Sequence, residues 1–192
     1  MSENFDRNAA GLGMDYLLEV SQELSMARNL ADVTAITRRA ARVLCGADGA
    51  TFVLKDGDYC YYVDEDAIGP LWKGRRFPQD TCVSGWSMRE RQTVLIEDIT
   101  IDPRVPQEAY RATFVKSLVM VPIRETDPIG AIGNYWATPH RAPAACIELL
   151  RALANLVAIA LENVRLVEAL QKTNRVLEDS MRARDEFLSV AS

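Results

Sequence analysis

The sequence is poor in the residues from which most metal and redox centres are built. It contains one histidine and four cysteines among 192 residues, and no two cysteines form a CxxC pair. Because protein zinc sites use closely spaced cysteines and histidines, we expect no metal site. The four cysteines, Cys45, Cys60, Cys82 and Cys146, are expected to be separate thiols in a reducing compartment.

The sequence also lacks clusters of positive charge and long apolar runs. Its formal net charge is −5, and its basic residues are scattered, so a nucleic acid is not an expected partner. A membrane helix needs about 20 consecutive apolar residues, and no stretch approaches this, so no membrane insertion is predicted. The N-terminus has no secretion signal, which predicts a cytoplasmic protein.

The hydrophobic pattern instead predicts an α+β domain. After a flexible leader over residues 1–12, apolar residues at three- and four-residue spacing indicate two amphipathic helices that end at Gly46. Two short β-rich segments around a turn at Gly57 then indicate a hairpin. Residues 65–82 are expected to be irregular. The cysteines Cys45 and Cys60 fall at apolar positions and are expected to be buried as small hydrophobic residues.

The second half of the chain continues this pattern. "SGWSMRERQ" predicts a short helix, "TVLIEDI" a strand, "QEAYRATFV" another short helix, and the stretch 116–139 two long strands joined by a turn. A helix of about 45 residues is predicted from Pro143 to the end. The expected fold is a central antiparallel sheet of about five or six strands, with the N- and C-terminal helices on one face and short helices over the other.

The long C-terminal helix has apolar residues in heptad spacing. With Val167 and Met181 at position a, the polar Asn174 also falls at a, where a buried asparagine favours a parallel, in-register dimer. We therefore predict a homodimer; a single solvated helix, or one packed on another part of the same protein, is the alternative. The predicted dimer seam contains Leu156, Asn163, Val167, Leu170, Asn174, Leu177, Met181 and Leu188.

Three segments resemble the GAF domain family. They are "VSGWSMRERQTVLIEDITIDPRVP", "FVKSLVMVPI" and "PIGAIGNYW", and they occur in the order found in that family. The resemblance implies a sensory domain over residues 13–168 that binds a small molecule, followed by a coiled-coil signalling helix over 169–192. The ligand is unknown.

The last nine residues, "RDEFLSVAS", resemble the segment before the phosphoacceptor histidine of dimeric sensor histidine kinases. In this resemblance Ser192 lies immediately before that histidine, so the chain is expected to stop just short of a kinase dimerisation domain. The resemblance implies the sensory region of a two-component signal transduction protein, with a downstream kinase domain as its partner. The region itself is expected not to be catalytic.

The family resemblance also implies a ligand pocket on the sheet face opposite the terminal helices. An alternative is that its aromatic residues simply fill the core and that Asp98 holds the loop after its strand by accepting backbone N–H groups. The residues nominated for the pocket are Trp72, Cys82, Trp86, Asp98, Tyr110, Phe114, Tyr135 and Trp136.

Specific cofactors are disfavoured. No Cys-His pair of the bilin-binding type is present, and His140, the one candidate haem ligand, lies in a loop where it is expected to be solvated. The sequence pattern of cyclic-nucleotide-binding members is not recognised. Cys82 precedes a short helix, which lowers thiol pKa values and favours redox sensitivity, but no second cysteine lies near it in sequence to form a disulfide.

Two other functions stay open. Some GAF proteins reduce free methionine sulfoxide with cysteines, for which Cys60, Cys82 or Cys146 are available here, although their spacing matches no recognised motif and Cys146 has no evident partner. A domain that only dimerises, with a filled pocket, is the third alternative.

Overall fold

A computed structural model describes the backbone of residues 2–190 and the side chains of residues 11–186. Five helices and six strands make up this part of the chain. In chain order they are α1 Ser2–Met26, α2 Leu30–Cys45, β1 Gly49–Asp56, β2 Tyr59–Ala67, β3 Arg76–Pro78, α3 Val83–Glu90, β4 Val94–Ile96, α4 Gln107–Tyr110, β5 Ser117–Ile123, β6 Gly130–Trp136 and α5 Ala144–Val190.

The six strands form one antiparallel sheet in the order β3-β2-β1-β6-β5-β4. The predicted α+β fold is therefore confirmed. The β1–β2 hairpin turns at Gly57, whose φ of 59° lies in the left-handed region that glycine adopts without strain. The sequence did not predict β3, a three-residue edge strand that ends in Pro78, because a short polar edge strand carries little hydrophobic pattern.

Helices α1, α2 and α5 cover one face of the sheet. They enclose a helix-side core in which the largest side chains include Phe52 of β1, Ile132 of β6 and Leu150 and Leu153 of α5. Helix α2 begins at Asn29, whose side chain accepts the Asp32 N–H at 2.9 Å. The buried Asn134 of β6 donates its amide to the Ala41 carbonyl oxygen of α2 at 2.6 Å, which fixes this helix to the sheet centre.

The opposite face carries a second cluster, which we call the inner-face core. Residues two apart on a strand share a face, so Cys60 and Tyr62 of β2 lie together here. The short helices α3 and α4 and the connecting loops cover this face. The inner-face core contains Val53, Cys60, Tyr62, Trp72, Cys82, Val83, Met88, Val94, Ile96, Ile99, Val105, Tyr110, Val115, Leu118, Met120, Ala131 and Tyr135.

Cys45 and Cys146 form a disulfide, with their Cα atoms 5.3 Å apart. The prediction of four thiols, with no partner for Cys146, was therefore wrong. The residues are 101 positions apart, and they meet because the end of α2 lies against the start of α5. No local spacing signals such a contact. Cys60 and Cys82 are free and buried, as predicted for Cys60.

The terminal helices differ from expectation at both ends. The backbone is helical from Ser2, within the segment expected to be a loose leader, and the mobility of that segment stays a prediction. Within α5, the stretch Ala144–Glu186 contains an 18-residue window of mean hydropathy 1.9, enough by length and composition to cross a membrane. Since 39% of that window is buried inside the domain, a core helix explains it equally well. A cytoplasmic location stays a prediction.

Candidate functional site

The inner-face core brings polar and aromatic side chains together from separate parts of the chain. Tyr62 comes from β2, Trp72 from the loop after it, Cys82 from the N-terminus of α3, Tyr110 from α4 and Tyr135 from β6. Four of the residues nominated from the sequence, Trp72, Cys82, Tyr110 and Tyr135, are thus found in one cluster. This cluster is the candidate site.

Trp72 stands at the centre of the aromatic packing. Its ring centroid lies 4.6 Å from that of Tyr110 and 5.5 Å from those of Tyr62 and Tyr135, all in edge-on geometry. Its indole N–H donates to the Ala109 carbonyl oxygen at 3.0 Å. Edge-on pairs of this kind stabilise a core beyond the burial of their area. The aromatic residues therefore fill much of this face, in agreement with the alternative that they serve as core.

A single carboxylate holds the loop that delivers Trp72. The Glu65 carboxylate accepts the backbone N–H groups of Leu71, Trp72 and Lys73 at 2.8 to 2.9 Å. Three charge-assisted hydrogen bonds fix this loop more firmly than its irregular sequence suggests. Sequence reasoning missed Glu65, because an acidic residue at the end of a strand gives no signal of the loop it will bind.

Three buried tyrosine hydroxyls surround the site. The Tyr135 hydroxyl pairs with Thr51 Oγ1 at 2.9 Å, and the Tyr62 hydroxyl pairs with Ser84 Oγ at 3.1 Å. Gly133 leaves the space that the Tyr135 ring occupies, since a Cβ there would meet it. The Tyr110 hydroxyl is buried without a partner among the described residues. Burial raises the pKa of all three phenols, so they are neutral.

Cys60 and Cys82 both belong to this cluster, although they are 22 positions apart in the sequence. A hydrogen bond from the Cys60 thiol is the largest of the effects that lower the pKa of Cys82 to about 7, against an opposing effect of burial. The Ser84 hydroxyl, 3.3 Å from the Cys82 sulfur, and the Gly85 N–H, 3.4 Å away, act in the same direction. The pKa of Cys60 is raised, first by the same hydrogen bond and then by burial.

Gly85 explains the "VSGW" motif that begins α3. A Cβ at this position would collide with the backbone of Gln79, so only glycine lets the first turn of α3 approach the preceding loop. The same loop is held from the other end of the helix, where the Arg89 guanidinium donates to the Gln79 carbonyl oxygen at 3.1 Å. Together they place Cys82 at the N-cap of α3.

The remaining nominated residues are placed differently. Trp86 and Phe114 are half-buried at the margin of the inner-face core. Asp98 accepts the N–H and hydroxyl of Thr100 at 2.8 and 2.6 Å, so it holds its own loop, as the alternative proposed. Trp136 lies in the helix-side core. Its nomination together with Tyr135 was wrong, because successive strand residues face opposite sides of a sheet.

His140 is half-buried and lies against Trp136, with ring centroids 4.6 Å apart. It borders a cavity of about 200 Å³ between the β4–β5 edge and the start of α5, which none of the three buried tyrosines lines. In the part of the chain that the structure describes, no three histidine, cysteine or acidic side chains come together as metal ligands would.

Comparison with protein families identifies the domain. Residues 27–162 match the GAF domain family, a span that includes the whole sheet, α3, α4 and the first half of α5. The chain belongs to the GAF domain family. A search of curated proteins found no significant match.

Solved structures share this GAF fold at low sequence identity. The GAF domain of a phosphoenolpyruvate-protein phosphotransferase from Coxiella burnetii has a TM-score of 0.74 at 15% identity, covering 83% of this chain and 98% of that one. The free methionine-R-sulfoxide reductase of Neisseria meningitidis, solved with its substrate, has a TM-score of 0.71 at 18% identity, covering 82% of this chain and 93% of that one. A domain assigned to a two-component sensor histidine kinase of Sinorhizobium meliloti has a TM-score of 0.59 at 16% identity, covering 76% of this chain and 99% of that one.

GAF domains are sensory and regulatory modules, and the geometry of this one suits such a role. The two cores lie on opposite faces of one sheet, so a change on the inner face acts on the strands to which α2 and α5 are attached. The inner face offers a polarised thiol and a buried phenol with an unused hydrogen bond. The helix side offers α5, which continues far beyond the sheet.

Proposed function

We propose that this GAF domain is the sensory region of a two-component sensor histidine kinase, and that it signals through a parallel dimer of its α5 helices. The observation that carries the proposal is the exposed second half of α5. Val164 is the last buried residue of this helix, and every described residue from 165 to 186 is exposed. The helix therefore runs on for at least six turns without packing on its own domain.

The apolar residues of this exposed half have the spacing of a helix-pairing surface. Leu170 is 64% exposed, Leu177 58%, and Val167 and Met181 about half exposed, all on the predicted seam. An isolated helix gains little from leaving large apolar side chains in water, whereas a second copy would bury them as a and d residues. The side chain of Leu188, the last predicted seam residue, lies outside the described residues.

The predicted seam residues differ in burial. Leu156 is half-buried against the helix-side core, whereas Asn163 is exposed beside Val164, where α5 leaves the domain. Further apolar side chains are exposed near this seam and on α1, and the sequence prediction did not include them. They are Leu12, Met14, Leu18, Met26, Ile159 and Leu166. A dimer that buries both α1 and α5 would cover this surface.

Two likenesses favour a kinase as the output. One is the structural similarity to the sensor kinase domain of S. meliloti. The other is the resemblance of "RDEFLSVAS" to the segment before a phosphoacceptor histidine; Ala191 and Ser192 of that segment lie outside the described residues. A ligand or chemical change that favours one arrangement of the paired helices would shift the equilibrium between kinase states.

The dimer is tested by sedimentation equilibrium of the full chain and of two lysine variants. Leu170→Lys introduces a charge at the seam, whereas Ala169→Lys introduces the same charge one residue earlier on an exposed position outside it. We expect the wild type and Ala169→Lys to be dimers and Leu170→Lys to be shifted strongly towards monomer. Equal behaviour of the two variants, or a monomeric wild type, would refute pairing through this seam.

The parallel arrangement is tested with single cysteines. In a parallel, in-register pair, position a meets its own twin, so Val167→Cys should cross-link between chains under mild oxidation while Glu168→Cys, one residue off the seam, should not. An antiparallel pair would leave Val167→Cys without its twin and give no cross-link.

The kinase output is tested by fusing residues 1–190 to the dimerisation and catalytic core of a histidine kinase. Leu170→Lys should reduce autophosphorylation and Ala169→Lys should not; equal activities would contradict the proposal.

A further inference from the structure

The first turn of α5 is joined covalently to the end of α2. The Cys45–Cys146 disulfide connects the last residue of α2 to the third residue of α5, and the two Cα atoms are 5.3 Å apart. Among the described residues it is the one disulfide, so it is the one covalent link between α5 and the rest of the fold apart from the chain itself. Since α5 is the helix that continues beyond the sheet, this bond lies at the start of the element that leaves the domain.

The other residues of this first turn are weakly held. Ala144 and Ala145 are exposed, and Ile147 is half-buried beside the cavity of about 200 Å³ that separates this turn from the β4–β5 edge. The loop before the turn adds an Arg141–Glu97 ion pair at 3.5 Å, but both side chains are exposed, so the pair contributes little to stability. The disulfide and the buried cysteine that makes it are therefore the main attachment of this turn.

Contacts that involve neither cysteine hold the domain on both sides of the bond. The continuous packing of α5 in the helix-side core begins with the buried Leu149 and Leu150. Helix α2 is fixed to the sheet by the hydrogen bond of 2.6 Å that the Asn134 amide donates to the Ala41 carbonyl oxygen. Opening the disulfide should therefore release the first turn of α5 and leave the sheet and both helices folded, at lower stability.

The two half-cystines differ in their access to solvent. Cys45 is half-buried, and the next residue, Gly46, is exposed and has open space beside its Cα atom. Cys146 is only 5% exposed. A small thiol therefore reaches the Cys45 sulfur first. The two free cysteines, Cys60 and Cys82, are 0% and 6% exposed in the inner-face core, on the other side of the sheet from the disulfide.

We propose that the Cys45–Cys146 bond is a reversible redox switch, opened by dithiols and closed by small disulfides, that attaches or releases the first turn of α5. The thiolate of a dithiol attacks the Cys45 sulfur, the S–S bond breaks, and Cys146 leaves as a thiolate that takes a proton from solvent. The second thiolate of the dithiol attacks the reductant sulfur of the mixed disulfide, and Cys45 leaves and is protonated. The protein gains two electrons, the dithiol becomes a disulfide, and a small disulfide reverses the sequence.

The switch belongs to the domain itself and requires neither pairing of α5 nor a kinase. In the proposed kinase it would bias the signalling helix from its first turn, and in that respect alone it rests on the proposed function. The measurements below report the bond and the first turn of α5 in a monomer as well as in a dimer. Failure of helix pairing therefore leaves them valid, and their failure leaves helix pairing standing.

Peptide mapping tests whether the bond opens and closes in the folded protein. Trypsin places Cys45 in peptide 43–55 and Cys146 in peptide 142–151, so the oxidised protein gives one linked pair. The linked pair should disappear after dithiothreitol treatment in native buffer, with unchanged circular dichroism. It should return when dithiothreitol is replaced by oxidised glutathione. A bond that resists dithiothreitol until urea is added, a reduced protein that unfolds, or a bond that does not re-form would overturn the proposal.

Hydrogen–deuterium exchange measures the effect on α5. The amides of residues 147–150 donate to the carbonyls of the first turn and the residue before it, as Ile147 does to Pro143 at 3.3 Å. On reduction, the peptide covering them should exchange at the shortest labelling time like an exposed loop, while β1 stays protected. Cys45→Ser should show the reduced pattern with or without dithiothreitol, and Cys60→Ala should respond as the wild type does. Unchanged exchange over 147–150 in reduced, folded wild type would overturn the proposal, and this comparison decides the question if Cys45→Ser does not fold.

Discussion

Removal of the Cys45–Cys146 disulfide should be the most destabilising change that leaves every core side chain nearly in place. The bond joins residues 101 positions apart, and all six strands lie within the loop that it closes. A cross-link of this span reduces the conformational freedom of the unfolded chain, by about 4.7 kcal/mol for a loop of roughly 100 residues. Measured losses on removing native disulfides are about 2–5 kcal/mol.

Urea unfolding of Cys45→Ala/Cys146→Ala, followed by tryptophan fluorescence, measures this effect. With a urea dependence of about 2 kcal/mol/M, a loss of about 4.7 kcal/mol lowers the midpoint by about 2 M. Dithiothreitol should lower the wild-type midpoint by a similar amount. It should leave the midpoint of the double variant unchanged, because the other two cysteines are free thiols in the structure.

The reasoning would be refuted by a wild-type midpoint that does not move on reduction. It would also fail if dithiothreitol moved the double variant as far as the wild type, since the effect would then come from elsewhere. Cys60→Ala is a matched control, because it removes a buried sulfur on the other face of the sheet without opening the loop. Its response to dithiothreitol should match that of the wild type.

Three further outcomes are expected. The rate at which iodoacetamide alkylates Cys82, followed by mass spectrometry, should rise with pH to half its maximum near 7, because the effects of Cys60, Ser84, Gly85 and Arg89 on the thiol pKa together outweigh that of burial. A midpoint near the ordinary thiol value of about 8.5 would contradict this. Asn174→Ile should raise the thermal stability of the dimer and weaken its preference for one register, and unchanged melting with an unchanged oligomeric state would count against a buried asparagine. Glu65→Gln should cost about 1–3 kcal/mol in chemical denaturation by weakening the three loop hydrogen bonds, whereas the exposed Glu90→Gln should cost almost nothing.

Much of the architecture could be predicted because its signals are local. Strand alternation, the Gly57 turn and the heptads of α5 are each visible within a few residues, so the hairpin, the last strand pair and the long helix were anticipated. The strand β3 and the shortness of α4 were not, since three- and four-residue elements contain too few residues for a period to show. Their form is decided by tertiary contacts.

The site was predicted only in part because its contacts are long-range. The aromatic residues were nominated through the family resemblance, but Trp136 was placed on the wrong face because strand alternation was not applied to it. The Cys45–Cys146 bond joins segments that are distant in sequence, and Cys60 and Cys82 come from separate segments to one cluster; a single sequence carries no spacing rule for such pairs. Spacing rules of the CxxC kind detect sites built within one turn or loop, and neither pair is of that kind.

Because α5 is one unbroken helix, the number of residues in its exposed half determines the rotation of its end about the helix axis. Each residue of an α-helix turns the chain by about 100°, so a single deletion after Val164 would rotate everything that follows by more than a quarter turn about the helix axis. Seven residues restore the original direction to within about 20°. In the proposed kinase, the domain that follows this helix would therefore be oriented by a count of residues, and a deletion far from any contact would change the output without touching the sheet.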